Sequence, residues 1–264
     1  MDVAKKLREL GVKPVKGQNF LKTGSVIDAL VAAGEVENQT VLEIGPGTGA
    51  ITEKLSEKAE KVVAVERDTT LYRDLVEEFK DSNVELVNED ILEYGIPDVD
   101  RCVSNLPFEI SSEVLERLGK KQVQSALILQ KELADRIVAE PGDKEFGRFT
   151  VMVNYYFIPV KLRDVSSKHY YPSPEVDTSI VKLYPNVERH GIENEEFFFK
   201  IVRALFTNKM KKVRNAFVDS RHILGITKDE AKELRDEIPH SETRVVRLDI
   251  RSLADIAEFL EGRL

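Results

Sequence analysis

Between residues 40 and 139, short apolar runs alternate with segments of helical period, and no other feature of the sequence limits the fold as strongly. Val41-Leu42-Glu43-Ile44, Val62-Val63-Ala64-Val65-Glu66, and the segments 84–87, 101–104 and 125–129 read as strands. Leu71, Leu75 and Phe79 recur at i, i+4 and i+8, and helices are also expected after Gly49, at 111–118 and at 131–139. Strands this short and apolar are buried on both faces, so the reading is an α/β fold with helices on both sides of a parallel sheet. Segments 160–165 and 179–184 flank a proline-punctuated loop and are expected to close the sheet as an antiparallel pair. Segment 149–157 fits either helix or strand.

A leader helix at 2–10 should break at Gly11-Val12-Lys13-Pro14, residues 16–21 read as a loop, and a helix at 25–33 should stop at Gly34. After Pro185 no convincing strand remains, while Phe197, Ile201 and Leu205, then Leu253, Ile256 and Leu260, keep helical spacing. The expectation is therefore a main domain over 1–188 and a small all-helical domain over 189–264. Lys and Arg number 39 against 47 Asp and Glu, a net charge of −8, which excludes coating nucleic acid by bulk charge but allows a local basic face. Cys102 is the single cysteine, so there is no internal disulfide and no cysteine-rich zinc site. His169, His190, His222 and His240 are scattered without ligand spacing, and no metal is expected. Without a long apolar run or a signal-like start, the expectation is a cytoplasmic chain that enters no membrane, with monomer as the default state.

Gly45, Gly47 and Gly49 fall between the first of these strands and its helix, in the stretch Glu43-Ile44-Gly45-Pro46-Gly47-Thr48-Gly49. Such glycines let the backbone turn sharply and approach a ligand closely, although a plain tight turn has the same composition. Glu66 ends the next strand, where a carboxylate can accept both hydroxyls of a ribose. NAD and S-adenosylmethionine then compete as cofactor. The third glycine comes one residue early for NAD, and Glu43 would repel a pyrophosphate but attract a methionine ammonium, so S-adenosylmethionine is favoured. Asp90 follows the third strand, placed either to accept from an adenine amino group or to cap a helix at 91–94. Asn105-Leu106-Pro107-Phe108 ends the fourth strand. The Asn105 amide oxygen and the Leu106 carbonyl can both accept from one exocyclic amine, Pro107 fixes the turn, and Phe108 offers a stacking face; an ordinary strand-ending turn also fits. Lys200, Arg203, Lys209, Lys211, Lys212 and Arg214 form a basic run with no acidic residue inside it, an RNA-binding candidate or else a solvated helix face. Lys13, Lys16, Lys22 and Arg148 are expected to extend a basic surface.

Together with Gln18-Asn19-Phe20-Leu21, Gln130-Lys131-Glu132, the run at 141–148 and Tyr171-Pro172-Ser173-Pro174-Glu175-Val176-Asp177, these motifs appear in an order and at distances that resemble the small-subunit ribosomal RNA adenine dimethyltransferases, the KsgA family. The resemblance covers about 16–215. It implies a Rossmann-like class I methyltransferase sheet with a closing antiparallel pair, plus the small helical domain. It implies that Asn19, Leu21, Gly45, Gly47, Glu66, Asp90 and Asn105 contact S-adenosylmethionine or frame its pocket, and that Asn105, Leu106, Pro107 and Phe108 hold the target adenine. Phe108 departs from the family's usual tyrosine, which removes a hydroxyl and keeps the stacking face. Lys209, Lys211, Lys212, Arg214 and Arg148 are the expected RNA contacts. The implied reaction dimethylates the 6-amino groups of two adjacent adenosines in a hairpin loop near the 3′ end of small-subunit rRNA, within a pre-30S-like particle and with a role in its biogenesis. Large-subunit methyltransferases of the macrolide-resistance type share the Asn-Leu/Ile-Pro-aromatic turn, and a mainly non-catalytic assembly factor is the alternative from another class.

Overall fold

The computed structural model describes residues 2–15 and 17–264. Lys16, expected above to extend a basic surface, lies outside the described residues. The leader forms helix α1 (Val3–Glu9), started by Asp2, whose side chain accepts from the Lys5 N–H at 3.0 Å. The segment read as a loop contains a short strand, β1 (Phe20–Leu21). Helix α2 (Gly24–Gly34) buries Val26, Ile27, Leu30 and Val31, and it ends on Glu35 in the left-handed region at φ 52°.

The expected alternation follows. Strand β2 (Thr40–Ile44) leads through the glycine turn into α3 (Ala50–Ser56). Strand β3 (Lys61–Val65) leads into α4 (Thr69–Phe79), capped by Asp68 accepting from the Thr70 and Leu71 N–H groups. Next come β4 (Val84–Val87), the one-turn α5 (Ile91–Tyr94), β5 (Arg101–Asn105), α6 (Ser111–Lys120), β6 (Gln124–Gln130) and α7 (Lys131–Ile137). The ambiguous segment resolves into both elements: α8 (Arg148–Tyr156) passes directly into strand β7 (Phe157–Val165). Strand β8 (Tyr170–Tyr171) pairs with β1, and β9 (Thr178–Pro185) pairs antiparallel with both β6 and β7.

The seven-stranded sheet runs β4-β3-β2-β5-β6-β9-β7, parallel through β6 and closed by the antiparallel pair. Leu42, Val62, Val103 and Leu127 in its central strands are fully buried, as continuous apolar runs require. The chain leaves β2 for β3 on one side and later returns to β5 on the other. The carboxyl ends of β2 and β5 therefore diverge at a topological switch point, where open α/β sheets place their ligand crevice.

The chain divides into two compact units, residues 1–134 with 157–185, and Asp135–Tyr156 with Asn186–Leu264. This is not a single cut near residue 188: helix α8 belongs with the later helices. Tyr155 of α8 lies 5.6 Å from the ring of Phe198 and 5.1 Å from that of Phe199, both on α9 (Glu195–Phe206). The rest of this unit comprises α10 (Val213–Leu224), α11 (Lys228–Leu234), started by a Thr227/Glu230 capping box, and α12 (Ile250–Glu261). Among the described residues no helix is long and apolar enough to cross a membrane.

Candidate active site

A cavity of about 320 Å³ opens at the switch point, lined by the loops after β2, β3, β4 and β5 and by the segment before β1. Its size falls in the ~300–1,000 Å³ range of small-molecule sites. A glycine turn shapes one wall: Gly45 and Gly47, which line the cavity, and Gly49, which packs against α4, have φ of 68°, 59° and 82°, a region open to glycine at little cost. A Cβ on Gly47 would also stand 2.9 Å from the Phe20 ring. Glu66, buried at the end of β3, holds this wall through both carboxylate oxygens, Oε2 accepting from the Gly47 N–H at 3.0 Å and Oε1 from the Asp68 N–H at 2.8 Å. Each oxygen keeps a second lone pair. Burial pushes the Glu66 carboxyl above its ordinary pKa, against the pull of the Asp68 and Gly47 amides.

The Asn105-Leu106-Pro107-Phe108 turn at the end of β5 forms the adjoining wall, with Pro107 3.7 Å from where a Gly45 Cβ would stand. The Asn105 Nδ2 donates to the Asn19 carbonyl at 3.0 Å, which fixes the orientation of the amide. Its Oδ1 is buried and has no partner among the described residues. Pro107 has φ −56° and ψ 129°, and the Ser111 hydroxyl donates to its carbonyl at 3.0 Å. Leu106 is buried, Phe108 is half-buried, and both line the cavity. Asn19, Leu21 and Asp90 line it too. The capping reading of Asp90 holds: it starts α5 by accepting from the Leu92 N–H at 2.9 Å, while its other oxygen lies 3.4 Å from Arg67.

Two placements depart from expectation. Glu43 does not face a methionine ammonium. Strand alternation turns it toward α3, where it is 1% exposed and accepts from the Thr52 hydroxyl at 2.7 Å. Burial pushes its carboxyl up to about 8, helped by the nearby charge of Glu66. The basic run is also less free than its sequence suggests. Lys209 donates to the Lys144 and Phe146 carbonyls at 2.8 and 2.9 Å. Lys211 pairs with Asp219 at 2.7 Å, Lys212 with Glu242 at 2.6 Å, and Arg214 with Glu242 and Asp236. Arg148 starts α8 and Lys13 lines the cavity. Sequence reasoning missed Phe20, Arg67 and Asp68 as cavity residues. For Asp68 a signal existed, a helix N-cap directly after the β3 carboxylate.

The family model of ribosomal RNA adenine dimethylases matches residues 12–261. The chain belongs to this family. It is accordingly an S-adenosylmethionine-dependent rRNA adenine methyltransferase. A relative in Thermococcus sibiricus, named probable ribosomal RNA small subunit methyltransferase A, is 39% identical over 93% of this chain and 91% of its own length. One of the same name in Methanopyrus kandleri is 36% identical over 96% and 95%. A solved dimethyladenosine transferase from Plasmodium falciparum has TM-score 0.82 at 26% identity, covering 92% of this chain and 98% of that one. The 23S rRNA methyltransferase ErmE, at TM-score 0.68, 23% identity, and 92% and 99% coverage, shares the fold.

The cavity fits the family's cofactor. Five carboxylates, Glu66, Asp68, Glu89, Asp90 and Glu109, line it against the two cations Lys13 and Arg67, and this excess favours a ligand bearing a sulfonium and an ammonium. Of the left-handed glycines, Gly45 and Gly47 line the cavity, and at Gly47 a Cβ would run into the Phe20 ring. The described residues hold no group of three or more His, Cys, Asp or Glu placed to bind a metal ion.

Proposed function

We propose that this member of the family dimethylates the 6-amino groups of two adjacent adenosines in a hairpin loop near the 3′ end of small-subunit rRNA, in the cytoplasm, acting as a monomer on a pre-30S-like particle during its biogenesis. The small-subunit choice is supported by relatives that carry that name at 36–39% identity over nearly the whole chain. The observation that carries the reading is the Asn105 amide, a cavity-lining residue whose buried Oδ1 has no donor among the described residues. A buried acceptor without a donor costs about 1–3 kcal/mol, a cost relieved when a ligand supplies the missing hydrogen.

In this reading Gly45, Gly47, Glu66, Asp90, Asn19 and Leu21 hold the cofactor, with Glu66 accepting from ribose hydroxyls through its free lone pairs. When bound, S-adenosylmethionine supplies an electrophilic methyl group on sulfur. The residues of the turn act on the adenine. Asn105 Oδ1 and the Leu106 carbonyl accept the hydrogens of the 6-amino group, two before the first transfer and one before the second, drawing its lone pair out of conjugation; each transfer releases one of these hydrogens to water as a proton. Phe108 stacks on the ring, and Pro107 keeps the two acceptors convergent. This is positioning and electrostatic stabilisation without a covalent enzyme intermediate. A paired base cannot reach such a wall, so the target is unpaired or flipped out. Lys209, Lys211, Lys212, Arg214 and Arg148 meet the RNA backbone, and Lys211, Lys212 and Arg214 exchange their carboxylate partners for phosphates.

Asn105→Ala tests the reading. Methyl transfer to purified small subunits should fall by about 10²–10³, the usual effect of losing one transition-state acceptor or donor. Cofactor affinity should drop only modestly, and wild-type turnover would remove Asn105 from the mechanism.

A further inference from the structure

Helix α1 enters none of the motifs above, yet its inward side reaches three residues of the cavity wall, Phe20, Thr48 and Leu71. Val3 and Leu7 are buried against Phe20 and Leu71, and both of those residues line the cavity. Between them Lys6 points inward with a side chain only 17% exposed. Its Nζ donates to the Thr48 carbonyl at 3.1 Å. The same ammonium lies 2.5 Å from Glu78 and 2.9 Å from Asp74, both on α4. One side chain thus ties the loop after β2 to the helix after β3, two walls of a single cavity.

Thr48 stands between Gly47 and Gly49, both in left-handed geometry. A turn with glycine on either side has the largest conformational freedom to lose, so an external hold matters most there. A charge-assisted bond to a carbonyl is such a hold, and two carboxylates keep the ammonium from swinging into water.

We propose that Lys6 is a positioning residue for cofactor binding: it holds the Gly47-Thr48-Gly49 turn in the shape that receives S-adenosylmethionine. This rests on assigning the cavity to that cofactor, a cavity Lys6 itself does not line. The competing role is purely electrostatic. A cation near the pocket opposes a cationic ligand, so removing it would tighten S-adenosylmethionine and leave the neutral-sulfur product S-adenosylhomocysteine untouched. The positional role predicts equal weakening of both.

The experiment compares the full chain with Lys6→Met, Lys6→Arg and the surface control Lys5→Ala. Amide hydrogen exchange at 45–50 is measured without ligand, and both ligands are titrated by calorimetry. In Lys6→Met, exchange over 45–50 should quicken and both dissociation constants should rise by about tenfold, the size of one lost charge-assisted bond. The KM for S-adenosylmethionine should rise with kcat at saturation unchanged, Lys6→Arg should recover most of the loss, and Lys5→Ala should match wild type. Asp74→Asn with Glu78→Gln removes the anchors while keeping Lys6, and should give the same exchange pattern if Lys6→Met folds poorly. Unchanged exchange in both variants, or tightened S-adenosylmethionine with unaltered S-adenosylhomocysteine, overturns the proposal. A wild-type chain that binds neither ligand would instead defeat the cavity assignment, and the exchange arm would still decide whether Lys6 holds the turn.

Discussion

Two buried acids sit close together behind the glycine turn, and they behave differently because their partners differ. Glu66 is held by two backbone amides, whereas Glu43 has one hydroxyl and an Oε1 without a partner among the described residues. With its carboxyl pushed up to about 8 from 4.5, Glu43 is protonated in the folded chain at neutral pH and ionised in the unfolded one. A raised folded-state value means the stabilisation is complete below the unfolded pKa and is lost as pH climbs through the folded one. Stability should therefore fall between about pH 4.5 and about 8, and Glu43→Gln should flatten that fall. Denaturant midpoints across this range measure it; an equally steep fall in the variant would show that Glu43 titrates normally. The orientation of Glu43 was not legible in the sequence, because a strand residue before a glycine turn can face either layer. Glu66 was legible as a carboxylate directly after an apolar strand, and Asn105 as the polar residue that opens the Asn-Leu-Pro-Phe turn at a strand end.

At the scale of elements, the local pattern revealed the parallel strands and their helices because each is a contiguous run. What escaped it were the pairings between distant pieces. Strand β1 is two residues long and exists through its pairing with Tyr170 and Tyr171. Its Phe20 ring closes over Gly47, and this joins the N-terminal segment to the cofactor loop. Gly47→Ala places a Cβ 2.9 Å from that ring at φ 59°, so both the ring and the backbone must shift. The expected cost is about 1–3 kcal/mol of stability together with weaker S-adenosylmethionine binding. Thermal melts and calorimetry read the two effects, and a variant with wild-type values for both would mean that the turn tolerates a side chain. The α8–β7 junction was unreadable for a different reason: 149–157 is mostly apolar and aromatic, and its period changes at Tyr156 without a glycine or proline to mark the break.

Across the whole chain, a net charge of −8 has to coexist with binding to a polyanion. Lys211, Lys212 and Arg214 are already paired with acids, so RNA must compete for them. Lys211→Gln with Lys212→Gln should reduce the salt slope of RNA binding by about 0.7–0.9 for each phosphate no longer neutralised. Asp219→Asn with Glu242→Gln, which frees the same lysines, should strengthen binding; a slope and affinity unmoved by either pair would take this run out of the interface. The helical character of the later unit was visible in the sequence, but the membership of 135–156 in it was not, because that depends on aromatic packing between residues far apart in the chain. The most direct measurement is the mass of the product nucleosides, mapped to position, after small subunits lacking the modification are incubated with labelled S-adenosylmethionine and the enzyme. The account predicts N6,N6-dimethyladenosine at two adjacent sites in one loop near the 3′ end, formed about 10²–10³ times more slowly by Asn105→Ala. Label on another base or on large-subunit RNA, or undiminished label with that variant, would contradict it.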